Sequence, residues 1–245
     1  VKPVFNNIYE TEKINITDIF TGEMEHAIKH IEYLKNNAPE FLNVTPSRPM
    51  SPLDYAVVLC GGGFYADLLS EPDLSIEFMD KISDVTIKTI KYFKNMIGQP
   101  LNEVITPRGL IYPGIRLTGD AVVNLSPNLI ENIMCPVYKK FEKEFSNVML
   151  HYCCLPAPSN HVLDALIKGG GVDCVDNWQG YKTLIGKDVL ETELSICTDV
   201  DPELILSGDL WEDPFFTLKG RALFVSTNVE SVEDGKKIID IWHKN

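Results

Sequence analysis

His151 and Cys153 place an imidazole and a thiol two residues apart at the end of the apolar run Val148-Met-Leu150. Residues two apart on a strand project to the same side, so a buried strand here would deliver both groups together at its C-terminal end. That is the geometry of a ligand pair. In a βα-barrel or an open α/β sheet, the same end of the strands is where sites are built. A buried thiol beside a hydrogen-bonded histidine fits the pair equally well.

Other chemistry-bearing residues occupy comparable positions. Asp120 follows the apolar core of a strand expected within Pro113–Val123, where it could act as an acid, a base or a ligand-holding group, or cap a turn beside Gly119. Asp176 lies in the strand candidate Val172–Trp178, and Asp199 directly follows the candidate Thr192–Thr198. These three carboxylates are the candidate catalytic groups. Arg48, in the turn between Pro46 and Pro52, is a candidate for binding a substrate carboxylate through two parallel hydrogen bonds. Tyr55 and Trp178 are the aromatic candidates for substrate contact. His26 and His30 have metal-compatible spacing, but Glu25, Lys29 and Glu32 beside them mark a solvated helix face. Gly61-Gly62-Gly63 lacks the Lys-Ser/Thr of a phosphate loop and reads as a turn or close contact.

These residues need a scaffold that aligns strand ends. The 245 residues, 44% apolar and 23% charged, can bury one large core. Residues 1–20 form an extended lead-in, and strand and helix candidates then alternate from Phe41 onward. Phe41–Thr45 is a short strand. A long helix starts at Ser70-Glu-Pro72, carries Leu74, Phe78, Ile82, Val85, Thr89, Phe93 and Met96 on one stripe, and stops at Gly98. Val104–Tyr112 is irregular. Ser126-Pro127 opens a helix that Pro136 breaks in two. A helix from Ser159-Asn160 closes at Gly169-Gly-Gly171, Glu203–Ser207 is helical, Gly220–Asn228 is the last strand, and Val232–Trp242 the last helix. With five or six strands in this order the chain reads as a single α/β domain with a parallel sheet.

The net charge of −13 argues against nucleic acid or an anionic membrane as partner, since the long-range field repels phosphate. No apolar stretch approaches the roughly 20 residues that span a bilayer, and a cytoplasmic location is expected. Six scattered cysteines, two of them the neighbours Cys153 and Cys154, read as thiols rather than a disulfide framework.

Several strings in succession resemble the uroporphyrinogen decarboxylase superfamily: Gly114-Ile-Arg-Leu-Thr-Gly-Asp120-Ala-Val-Val-Asn-Leu-Ser126-Pro127, Cys135-Pro-Val-Tyr138, Leu150-His-Tyr-Cys-Cys154, Gly171-Val-Asp-Cys-Val-Asp176 and Thr198-Asp-Val-Asp-Pro202. The resemblance covers residues 22 to 242. It implies a (β/α)₈ barrel of the TIM type, here with about six recognisable strands, and a site at the strand ends. The decarboxylase branch uses no cofactor and removes carboxyls from a porphyrinogen held by arginines and an aspartate. The methyltransferase branch holds zinc through a His-x-Cys pair and a later cysteine, and moves a methyl group between a corrinoid and a thiol.

His151-x-Cys153 is similar to the second branch, which implies a zinc site and a small-molecule or corrinoid-protein substrate. No cysteine follows Cys197, so Glu230, after the last strand, is the expected third ligand. Relative to the superfamily, the segment equivalent to the first two barrel strands is expected to lie before Val1. An open barrel would expose two edges, so a rearrangement or a partner, such as a second copy in a homo-oligomer, is expected. The resemblance thus implies a corrinoid-linked thiol methyltransferase, with a tetrapyrrole decarboxylase or a non-catalytic barrel that binds a partner or tetrapyrrole-like ligand as the alternatives.

Overall fold

A computed structural model describes residues 2–14, 19–46, 48–107, 109–153, 160–177, 192, 194–213, 216 and 223–244. The centre of the fold is a five-stranded parallel sheet formed by β3 (Ile115–Thr118), β4 (Val148–His151), β5 (Cys174–Asn177), β6 (Ser195–Asp199) and β7 (Leu223–Ser226), with neighbours in chain order. Before it, β1 (Val104–Ile105) and β2 (Ile111–Tyr112) make a two-stranded antiparallel hairpin in the stretch expected to be irregular.

Parallel neighbours need crossovers, and helices supply them. α5 (Pro127–Leu129) and α6 (Cys135–Phe145) connect β3 to β4, α7 (Asn160–Gly169) connects β4 to β5, and α8 (Pro202–Ser207) connects β6 to β7. α9 (Val232–Trp242) follows the last strand over the expected residues. Between α5 and α6 the chain makes a π-helical turn at Ile130–Met134. Pro136 has no N–H to give the helix, so the expected break takes the form of this wider turn just before it.

The register separates the two faces of the sheet. Ile115, Leu117, Val148, Leu150, Val175 and Ile196 point into the main core with Met134, Tyr138, Phe141, Leu163 and Leu166 of the crossover helices. The alternate residues Met149, Cys174 and Cys197 face the other way and pack with Tyr112 of the hairpin. The polar row Thr118, His151, Asp176 and Cys197 is aligned across β3 to β6 on that second face.

Upstream, α1 (Glu23–Asn37) is helical as the spacing predicts, although only Ile31 of it is buried, and His26 and His30 are exposed. α2 (Pro52–Cys60) and α3 (Phe64–Ser70) precede the 26-residue α4 (Pro72–Ile97), which ends on Gly98 in the left-handed conformation. α4 packs on α2 and α6. The expected strand Phe41–Thr45 is not one: Phe41 is 81% exposed, and among the described residues no strand pairs with this segment. The chain reaches the sheet a few residues later, where Met50 bridges Thr118 in parallel, Ser51 N–H donates to Thr118 O at 2.6 Å and Thr118 N–H to Pro49 O at 3.0 Å. The lead-in is also more ordered than an extended segment, with a 3₁₀ turn at Ile8–Lys13 whose Ile8 is buried in the core. The fold is mixed α/β around a parallel sheet. Among the described residues β7 pairs with β6 alone, so the sheet is not seen to close on itself. The five described cysteines are free thiols, and no described helix is long and apolar enough to cross a membrane.

Candidate metal site at the strand ends

Three adjacent strands deliver the site. His151 is the last residue of β4, and Cys153 follows two positions on, its Sγ 3.3 Å from His151 Nε2. β3 ends level with β4, Thr118 standing opposite His151, and Gly119 N–H donates to His151 O at 2.7 Å, carrying the ladder one step further. A Cβ on Gly119 would sit 2.7 Å from Leu150 Cδ1, so glycine lets the chain turn closely over the end of β4. The turn presents Asp120, which begins a 3₁₀ segment through Asn124 and whose Oδ1 accepts from Cys153 N–H at 2.7 Å. Ligand atoms of Asp120, His151 and Cys153 all lie within 4.8 Å of one another. One nitrogen, one sulfur and one carboxylate oxygen suit a cation such as zinc.

Behind this cluster lies Asp176 on β5, aligned with His151 in the ladder. His151 Nδ1 is 3.3 Å from Asp176 Oδ2, and Arg116 Nε donates to the same oxygen at 2.7 Å. The arginine and aspartate side chains are 1% and 3% exposed. Burial acts to raise the Asp176 pKa, but the His151 hydrogen bond and the charge and hydrogen bond of Arg116 outweigh it, and the carboxyl titrates below its ordinary value. Asp176 beside Nδ1 is placed to orient the imidazole, with Nε2 facing Cys153.

A second carboxylate supports the turn. Asp54, near the start of α2, accepts from Ser51 Oγ at 2.6 Å and from Ala121 N–H at 3.1 Å, fixing the residue next to Asp120. Burial pushes the Asp54 carboxyl up to about 6, with the Asp120 charge adding to the shift and the Ser51 and Ala121 hydrogen bonds opposing it.

Of the residues singled out from sequence, the structure therefore gathers His151, Cys153, Asp120 and Asp176. Asp199 sits at the end of β6, two strands from His151, and accepts from Ser226 Oγ. Glu230 is exposed after β7, three strands from His151, and is not part of the cluster. Arg48 is close enough to Arg116 and Asp176 to feel both charges; burial and Arg116 lower its pKa while Asp176 opposes them. Tyr55 stands with Arg48 and Arg116 in the wall of a neighbouring cavity, where burial raises its phenol pKa. Trp178 and Cys154 lie outside the described residues. Arg116 and Asp54 are the site residues that sequence reasoning passed over. Each had a signal: an arginine between Ile115 and Leu117 in a buried strand, and a serine three residues before an aspartate at a helix start.

Comparison with protein-family models, with curated proteins and with solved structures finds no match for the chain.

Proposed function

We propose that the chain is a corrinoid-linked methyltransferase that transfers a methyl group to or from a thiol at a zinc site held by Asp120, His151 and Cys153, on a scaffold of the (β/α)₈ type. The observation that carries the reading is the convergence of those three ligand atoms at the ends of adjacent parallel strands. The ordered resemblance of residues 22–242 to the uroporphyrinogen decarboxylase superfamily supports it, as does the chain-order succession of strands. The donor set fits zinc, and the Asp176–His151 contact is the kind of outer support that orients an imidazole ligand. With Asp120 in the cluster, an oxygen ligand stands where Glu230 was expected to serve.

Zinc in this position supplies the charge that stabilises a substrate thiolate at neutral pH. The chain's own residues do the rest. Asp176 orients His151, Arg116 balances the Asp176 charge in a buried setting, and Asp54 anchors the Asp120 turn. Held by Asp120, His151 and Cys153, a zinc ion would still be open to the sulfur of the substrate.

Metal analysis of the purified protein tests the reading. About one zinc per chain, lost in His151→Ala and in Cys153→Ala, supports it; metal-free protein with an intact fold overturns it. Turnover of a porphyrinogen without metal selects the decarboxylase, and a spectral titration with a corrinoid tests the ligand class. Silence in all of these leaves a barrel that binds a partner or tetrapyrrole-like ligand without turnover.

A further inference from the structure

Beside the strand-end cluster, a cavity of about 620 Å³ opens between α4, the β1–β2 hairpin, the 43–49 segment and the edge of β3. Its wall is mainly apolar, with Ile82, Val85, Ile90, Phe93, Val104 and Ile115 on it. Among the described lining residues the charged groups are all of one sign. Arg48, Arg116 and Lys94 line the cavity and no Asp or Glu does among the described residues, in a chain whose 35 acidic residues outnumber its 22 basic ones. A volume of several hundred Å³ with an apolar wall and a few convergent polar groups is the form of a small-molecule site.

The three cations are not equivalent. Lys94 Nζ is directed to backbone carbonyls, donating to Pro100 O at 3.1 Å and to Glu103 O, and lies 3.4 Å from Gln99 Oε1. It closes the C-terminal end of α4. Arg48 and Arg116 stand near each other and near Asp176, which accepts from Arg116. Arg116 is engaged with Asp176, and Arg48, exposed at the same end, offers its guanidinium at the cavity wall. A single carboxylate head on Arg48, with an apolar body along the wall, matches that arrangement.

We infer that the cavity binds an amphipathic monocarboxylate, its head on Arg48 beside Arg116 and its apolar body along Val85, Ile90 and Phe93 of α4. Arg48 is exposed and able to move onto a carboxylate; Arg116 is buried and supplies a fixed field. The inference does not rest on a metal at His151, and it concerns a pocket whose lining includes none of Asp120, His151 and Cys153.

Decanoate and its uncharged counterpart decanol are suitable probes, titrated calorimetrically into the full chain after chelation, so that the outcome is independent of zinc content. Saturable binding of one decanoate per chain is expected, about tenfold or more tighter than decanol, since a carboxylate on a guanidinium contributes at least that factor. Arg48→Gln should remove this preference while leaving decanol binding as it was. Val85→Trp, which fills the cavity and keeps both arginines, should abolish binding of both probes. Equal affinity for the two probes, no decanoate binding at all, or decanoate binding that survives both substitutions would overturn the inference.

Discussion

Asp176 accepts from Arg116 and supports His151 with the same oxygen, and that sharing makes it the most consequential single carboxylate in the sheet. Its replacement by asparagine removes the charge that answers a guanidinium 1% exposed. Breaking one side of a buried pair costs about 3–5 kcal/mol, because the remaining charge is stranded, whereas replacing both sides by uncharged groups costs far less. Asp176→Asn should therefore lower the urea midpoint sharply, and the double variant Arg116→Met/Asp176→Asn should recover most of the loss. With zinc bound, the single variant should also weaken metal affinity by about 10–100-fold, the usual effect of removing the group that orients an imidazole ligand. A competitive chelator titration reads that change, and unaltered affinity would show that Asp176 does not orient His151. At this scale much of the site was legible. His151 and Cys153 were paired by a period of two that requires no knowledge of the fold, and Asp120 and Asp176 stood out as acids at strand ends. Glu230 was drawn to the cluster by the expectation of a third ligand after the last strand. Only the strand order reveals that β5 and β6 lie between its strand and that of His151.

At the level of elements, local signals held where they act locally. Pro72 and Gly98 bound α4, and Pro136 reshapes its helix. They failed where a partner decides: Phe41–Thr45 has strand composition but no pairing strand among the described residues, and Val104–Tyr112 has mixed composition yet folds into a hairpin that covers Met149, Cys174 and Cys197. The start of β3 depends on a close approach no local signal discloses. Ile115 N–H donates to Asn147 O at 3.0 Å, and a Cβ on Gly114 would lie 2.2 Å from that same oxygen. Backbone cannot yield as a flexible side chain can, so Gly114→Ala must displace β3 from β4. The expected cost is about 2–4 kcal/mol, in the range of other strained or overpacked substitutions, measured by chemical denaturation. Because β3 carries Arg116 at one end of this contact and leads to Asp120 at the other, zinc affinity should fall with it. A variant of undiminished stability would mean that the β3–β4 junction has slack that the structure does not show.

Across the whole molecule, the parallel sheet follows from alternating strand and helix candidates, but how many strands pair in one sheet, and whether that sheet closes, is a long-range property that no local pattern encodes. The cavity is another such property. Its described lining joins residues 19 to 116, and the shared sign of charge among those residues is hidden in a chain with a net charge of −13. Lys94 shows what that environment does to a cation. The residue is 2% exposed, and burial pulls its ammonium down to about 8 from 10.5, opposed by Glu103. Between those two pH values the unfolded chain holds a proton that the folded chain has largely released. Stability contributed by this group therefore rises as pH increases through that window, and below it the buried charge is a cost. The carbonyls of Pro100 and Glu103 temper the cost, so the effect expected is ~1–3 kcal/mol rather than the full value of the shift. Since other lysines and tyrosines titrate in the same range, the measurement is the difference in unfolding free energy between wild type and Lys94→Met from pH 7.5 to 10.5. That difference should move in favour of the wild type as pH rises, since neutral Lys94 keeps its hydrogen bonds to the carbonyls and methionine cannot make them. A difference that stays level with pH would show that Lys94 keeps its ordinary affinity for the proton, with the carbonyls fully replacing the water it gave up.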